Sequence, residues 1–153
     1  MSTNLDKIDR NILNHLQTDA SSTVDEVAEH VHLSRNACWR RIKQLEEQGY
    51  VKKRVALLDA TKLDLGLGVF VSVKALEHNM DWLKTFRDAV SGFPQIVGAY
   101  RMSGDLDYLL SVRVKDVAAY DAFYKQLISK LPNASISASF VMEEIKETTE
   151  LPL

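Results

Sequence analysis

The chain has 153 residues, enough for one or two small domains. Its 46% hydrophobic and 26% charged content excludes a disordered chain; no run reaches the ~18 apolar residues of a membrane helix, and residues 1–6 lack a secretory signal's basic-then-apolar pattern. The formal charge is −2, and a single cysteine excludes an internal disulfide and a multi-cysteine zinc site, so the expectation is a cytoplasmic protein in a reducing compartment.

Asp6 is placed to cap a first helix with Ile8, Ile12, Leu13 and Leu16 on one face. A polar break from Asp19 to Ser22 follows. Thr23 and Glu26 have capping-box spacing, and Val24, Val27, Ala28 and Val31 continue at helical intervals. After a short turn at His32-Leu33, Ser34 caps a third helix that runs to Gln48 and stops at Gly49. Cys38, Ile42 and Leu45 form its inward stripe, so Cys38 reads as a small buried hydrophobe. Tyr50–Leu58 is expected to be a strand.

The charge is unevenly distributed. Residues 31–54 carry Arg35, Arg40, Arg41, Lys43, Lys52, Lys53 and Arg54 against Glu46 and Glu47 alone, while the flanks are acidic. Two short helices joined by a tight turn, the second with a basic polar face, make a helix-turn-helix pattern. Such a helix enters the major groove, where Arg pairs with guanine and Asn with adenine. Arg35, Asn36 and Arg40 are the candidate base readers. Arg41, Lys43, Lys52 and Lys53 are the candidate phosphate contacts, with Ser34 and Trp39 beside them. The basic strand would act as a wing.

Residues 59–66 read as a linker. Beyond it, the pattern is β-α-β-β-α-β. Val69–Ala75 alternates as a strand, and Leu83, Phe86, Val90 and Phe93 mark a helix. Ile96–Ser103 and Leu106–Val114 flank a Gly104-Asp105 turn. Val117, Tyr120, Tyr124, Leu127 and Leu131 mark a second helix. Ile136, Ala138, Phe140 and Met142 alternate with Ser135, Ser137 and Ser139 in a last strand. The fold class is α+β: a winged helix-turn-helix over 1–58, then a ferredoxin-like domain over 67–153. Its two helices cover one sheet face. The other face wants a partner, most economically a second copy of the chain, which also suits a two-fold, pseudo-palindromic operator in double-stranded DNA.

The segments Leu5–Leu13, Leu33–Ile42, Leu45–Val51 and Leu63–Gly66, with Gly104-Asp105-Leu106-Asp107-Tyr108, resemble the Lrp/AsnC (feast/famine) family of transcription regulators over nearly the whole chain. Lys146–Leu153 and the Cys38-Trp39 pair resemble its cysteine-responsive, DecR-like branch. The resemblance implies a RAM domain that binds a small amino acid, L-cysteine being the candidate, and assembly of dimers into tetramers or octamers. It implies an effector site at Tyr100, Met102, Gly104, Asp105 and Asp107, with Ser135, Ser137 and Ser139 contributed by a neighbouring dimer. No cofactor or metal is expected: of His15, His30, His32 and His78, only His30 and His32 are close in sequence, across a helix end. The rival reading is an architectural DNA binder without an effector. An enzyme is disfavoured, because no nucleophile–base pair, metal cluster or phosphate-binding glycine loop is present, and Asp105 with Asp107 lacks a third group.

Overall fold

The computed structural model describes residues 5–76 and 79–153, so His78 and the first four residues lie outside the described residues. Two compact units divide the chain: residues 1–57 together with 146–153, and residues 58–145.

The helical unit comprises α1 (Lys7–Thr18), α2 (Val24–His30) and α3 (Arg35–Glu47). Each begins at a side-chain cap. Asp6 accepts from the Asp9 N–H at 2.8 Å, and the Asp9 carboxylate accepts from the Asp6 N–H at 3.3 Å. Thr23 and Glu26 form the same reciprocal box, with the Thr23 N–H to Glu26 carboxylate bond at 2.6 Å. Ser34 Oγ accepts from the Ala37 N–H at 3.4 Å. The turn between α2 and α3 places His32 at φ 56°, and the Leu33 N–H closes it on the Ala28 carbonyl at 2.9 Å. At the end of α3, Gly49 has φ 78°. Its N–H bonds the Glu46 carbonyl and the Tyr50 N–H bonds the Leu45 carbonyl, both at 3.0 Å, a Schellman motif that satisfies two of the helix's last carbonyls. The expected stripes meet in one core: Ile12, Leu13 and Leu16 pack with Val27, Ala28 and Val31 and with Cys38, Ile42 and Leu45.

Residues 50–58 are not a strand. Strand geometry needs a hydrogen-bonded neighbour, and the four paired strands of the described residues all lie beyond residue 66. The segment is instead held by side chains: Val51 packs on the helical core, and Arg54 bonds Glu46 at 2.9 Å and the Ala20 carbonyl at 3.4 Å. The last eight residues group with this unit rather than with the sheet. The Gln17 side-chain amide pairs with both backbone groups of Leu151, donating to its carbonyl at 2.9 Å and accepting from its N–H at 2.8 Å.

The second unit contains β1 (Leu67–Ala75), α4 (Met80–Ser91), β2 (Ile96–Arg101), β3 (Tyr108–Val114), α5 (Val117–Lys130) and β4 (Ala134–Phe140). The sheet order is β2-β3-β1-β4 and every neighbouring pair is antiparallel, the ferredoxin-like arrangement. Residues 59–66 belong to this unit and are not a free linker. They contain a short 3₁₀ turn at Thr61–Leu63, and Asp64 pairs with Lys115 at 3.8 Å. Val69, Val71 and Val73 face Leu110 and Val112 beneath the two helices. The Phe86 and Tyr108 rings pack with their centres 4.2 Å apart, with Trp82 beside them. The helices are rotated slightly from the expected stripes. Phe123 is buried in α5 while Val117 is exposed, and Trp82 and Ala89 join Phe86 in α4. The opposite sheet face carries Phe70, Ser72, Tyr100, Leu109 and the β4 serines, and neither helix of this unit covers it among the described residues.

Candidate nucleic-acid interface and effector site

The basic residues expected to contact DNA fall into two groups. Asn36 and Arg40 are exposed on α3 and make no hydrogen bond or ion pair among the described residues. Lys52 and Lys53 are exposed in the segment after α3. Arg35 pairs with Asp25 at 3.3 Å, but both side chains are largely exposed, so the pair contributes only about 0–1 kcal/mol and a phosphate can displace it. Trp39 is 50% exposed, with the Lys43 ammonium 5.2 Å from its ring centre. Ser34, Arg35, Asn36, Trp39, Arg40 and Lys43 thus share one capped helix whose opposite stripe is buried.

Arg41 departs from expectation. Its guanidinium donates to both Asp6 and Asp9 at 2.7 Å, so it joins α3 to the capped start of α1 and is not presented to a phosphate. The Asp9 backbone N–H, followed by Arg41, holds the Asp6 carboxyl below its ordinary range, and Asp9 and Asp6 in turn hold Arg41 more firmly protonated. A sequence reading misses this because a helix wheel shows Arg41 as polar without showing which neighbour it meets. Cys38 is fully buried, and burial pushes its thiol pKa up, which disfavours the reactive thiolate.

In the sheet unit, Tyr100 and Met102 are exposed near the β2–β3 turn. Gly104 takes φ 121°, which a side chain rarely tolerates, and Asp105 is exposed at the tip. Asp107 is committed elsewhere: its carboxylate accepts from the Ala75 N–H at 2.9 Å and its carbonyl from the Met102 N–H at 2.8 Å. It pins the hairpin base to the end of β1. Ser135, Ser137 and Ser139 lie on β4 opposite Lys74, Ser72 and Phe70. β2 and β4 are the two sheet edges, three strand spacings or about 14 Å apart, so one chain does not bring the hairpin and these serines together. Among the described residues, no group of three His, Cys, Asp or Glu side chains could hold a metal.

Residues 5–52 match a winged helix-turn-helix DNA-binding family and residues 68–151 match the Lrp/AsnC ligand binding domain. The chain belongs to the Lrp/AsnC family. It is therefore a DNA-binding transcriptional regulator with an amino-acid ligand-binding domain, and the family's members are regulators, not enzymes. It is 47% identical to a glutamate uptake regulatory protein of Zymomonas mobilis, over 97% of this chain and 91% of that one. It is 44% identical to the DNA-binding transcriptional activator DecR of Escherichia coli, over 97% and 99%. Among solved structures, an AsnC family regulator from Agrobacterium tumefaciens superposes with a TM-score of 0.93 at 51% identity, covering 97% of both chains. A transcriptional regulator from Neisseria meningitidis, solved with L-Met, gives 0.92 at 36% identity, covering 97% of this chain and 96% of that one. These Lrp/AsnC relatives cover the tail as well as both units. No helix of the described residues is long and apolar enough to cross a membrane.

Proposed function

We propose that the chain reads a pseudo-palindromic operator as a homodimer or larger assembly, and that a small amino acid at the β2–β3 hairpin shifts its assembly or DNA affinity. The observation that carries the DNA half is the pair Asn36 and Arg40, exposed on a capped helix with no partner among the described residues. An unsatisfied guanidinium and carboxamide on a slim helix are suited to guanine and adenine edges. Arg35 joins them once phosphate displaces Asp25. Lys43, Lys52 and Lys53 hold phosphates, Trp39 offers apolar surface to the groove wall, and Ser34 sets where the helix begins. The chain acts in the cytoplasm, on the nucleoid.

Assembly rests on the open sheet face. Phe70 is 44% and Tyr100 57% exposed there, and a second copy is the simplest cover. An effector site built from the hairpin tip of one dimer and the β4 serines of another would explain why one chain separates them by the width of the sheet. L-Cysteine is the first effector to test, beside L-methionine, which a similar regulator binds in its solved structure.

The test is an operator selected from random DNA. Arg40→Ala should weaken binding to that operator by about 1–3 kcal/mol and relax one base position. Unchanged affinity overturns the groove assignment, and equal affinity for random and selected DNA returns the architectural reading. Light scattering across the standard amino acids tests the effector: unaltered assembly and DNA affinity with every one of them removes that half of the proposal.

A further inference from the structure

A cavity of about 240 Å³ lies between α4 and the edge strand β2, away from the tip of the β2–β3 hairpin. Phe86 and Tyr108, their ring centres 4.2 Å apart and tilted by 32°, contribute an apolar wall. Arg87 of α4 and Arg101 of β2 line it too, and neither guanidinium has an ion pair or hydrogen bond to a side chain among the described residues. Arg101 is opposite Tyr108 in the ladder, so it stands on the helix-bearing face of the sheet, and at this edge strand its side chain is exposed.

The backbone of β2 adds to the site. The Met102 N–H bonds the Asp107 carbonyl, and paired residues in an antiparallel ladder alternate between bonded and unbonded. Tyr100 therefore turns its N–H and C=O toward β3, while Ala99 and Arg101 turn theirs away, to the side of β2 that no strand covers. Ala99 also lines the cavity.

The geometry points to a second small-molecule site here, for a short dicarboxylic acid with or without an α-ammonium group. Two arginines lining one cavity favour an anionic occupant, and guanidinium forks match carboxylates. The Phe86–Tyr108 wall suits a chain of methylenes. Outward carbonyls on β2 can accept from an ammonium. The volume lies below the ~300–1,000 Å³ of drug-sized sites, which suits a single amino acid. Tyr100 lines this cavity and also belongs to the effector site proposed above, so the two sites adjoin, and the variants below tell them apart. The competing reading is that Arg101 is an inward charge that only protects a sheet edge from aggregation.

Calorimetry on the full-length protein distinguishes them, with L-glutamate, succinate and L-leucine as probes. Saturable L-glutamate binding is expected, weakened about tenfold or more by Arg87→Gln and by Arg101→Gln. Succinate binding as tightly as L-glutamate shows that the carboxylates carry recognition; weaker succinate binding shows that the ammonium contributes. L-Leucine binding this site as tightly as L-glutamate overturns the dicarboxylate assignment. In wild-type protein, the amide resonances of Ala99 and Arg101 should move with L-glutamate while those of Gly104 and Asp105 stay, a readout independent of how the variants fold. Absence of binding, or binding lost in Asp105→Asn but kept in both arginine variants, overturns the proposal and leaves Arg101 as edge protection.

Discussion

The helical unit and the sheet unit differ in how much of their exposed surface a single chain completes. In the helical unit the capping bonds join residues three apart: Asp6 with Asp9, Thr23 with Glu26, and Ser34 with Ala37. In the sheet unit, the carboxylate that secures the hairpin, Asp107, reaches a backbone N–H 32 residues away. Local bonds leave the exposed face of α3 complete within one chain, so its purpose is visible there. The sheet unit ends in an open face and two separated edges, and in the function proposed above another copy completes its chemistry at the hairpin.

The largest expected effect tests the sheet side of this contrast. Leu110 is fully buried at the centre of the sheet, so Leu110→Ala should cost about 2–5 kcal/mol in urea unfolding. A cost below 1 kcal/mol would mean that the two-helix cover does not carry that unit's stability. The DNA-reading face comes next, with the Arg40→Ala loss given above. Arg41→Ala sharpens it, because that change should lower the stability of the helical unit and leave the base preference of the assembled protein intact. A shifted base preference at unchanged stability would return Arg41 to the groove. Asp107→Ala should cost about 1–3 kcal/mol without any effector present, since it leaves the half-buried Ala75 N–H unpaired. No loss of stability would reopen its expected role as an ammonium ligand.

Smaller effects follow from exposed charge. Lys52→Ala should weaken all DNA sequences alike and reduce the salt slope by about one unit, measured by titration at several salt concentrations. Acid provides a last comparison. The carboxyls of Asp6, Asp19 and Glu26 sit below their ordinary values of 3.8, 3.8 and 4.5, chiefly through hydrogen bonds from Asp9, Ser21 and Thr23. Because their folded pKa is lowered, they add stability above the ordinary values, and that contribution disappears as pH falls through the folded ones. Helical circular dichroism in Asp6→Asn should therefore show less acid sensitivity than wild type below about pH 4.

Much of the fold was legible because hydrophobic periodicity and caps are local. The stripe Cys38, Ile42 and Leu45, the Thr23–Glu26 box and the Gly49 stop are all where spacing places them. The Tyr50–Leu58 strand failed because alternation and β-branched residues cannot supply a pairing partner. Val117 was assigned inward and Phe123 overlooked because an α-helix wheel fixes a stripe only to within a residue, and packing against the sheet selects the rotation. At the candidate sites, exposure of Asn36 and Arg40 was readable from helical phase. The captures of Arg41 by Asp6 and Asp9, and of Asp107 by Ala75, were not, since each joins residues more than thirty positions apart.

Sequence alone determined the two-part organisation, the basic recognition helix and the order of strands and helices, because period, caps and turn residues act over a few positions. Only the tertiary structure decided which charges remain available. Folding brought Arg41 against two carboxylates, tied the tail to Gln17, and placed Arg87 and Arg101 around one cavity. A side chain's availability depends on what long-range packing sets beside it, and no local pattern encodes that neighbour.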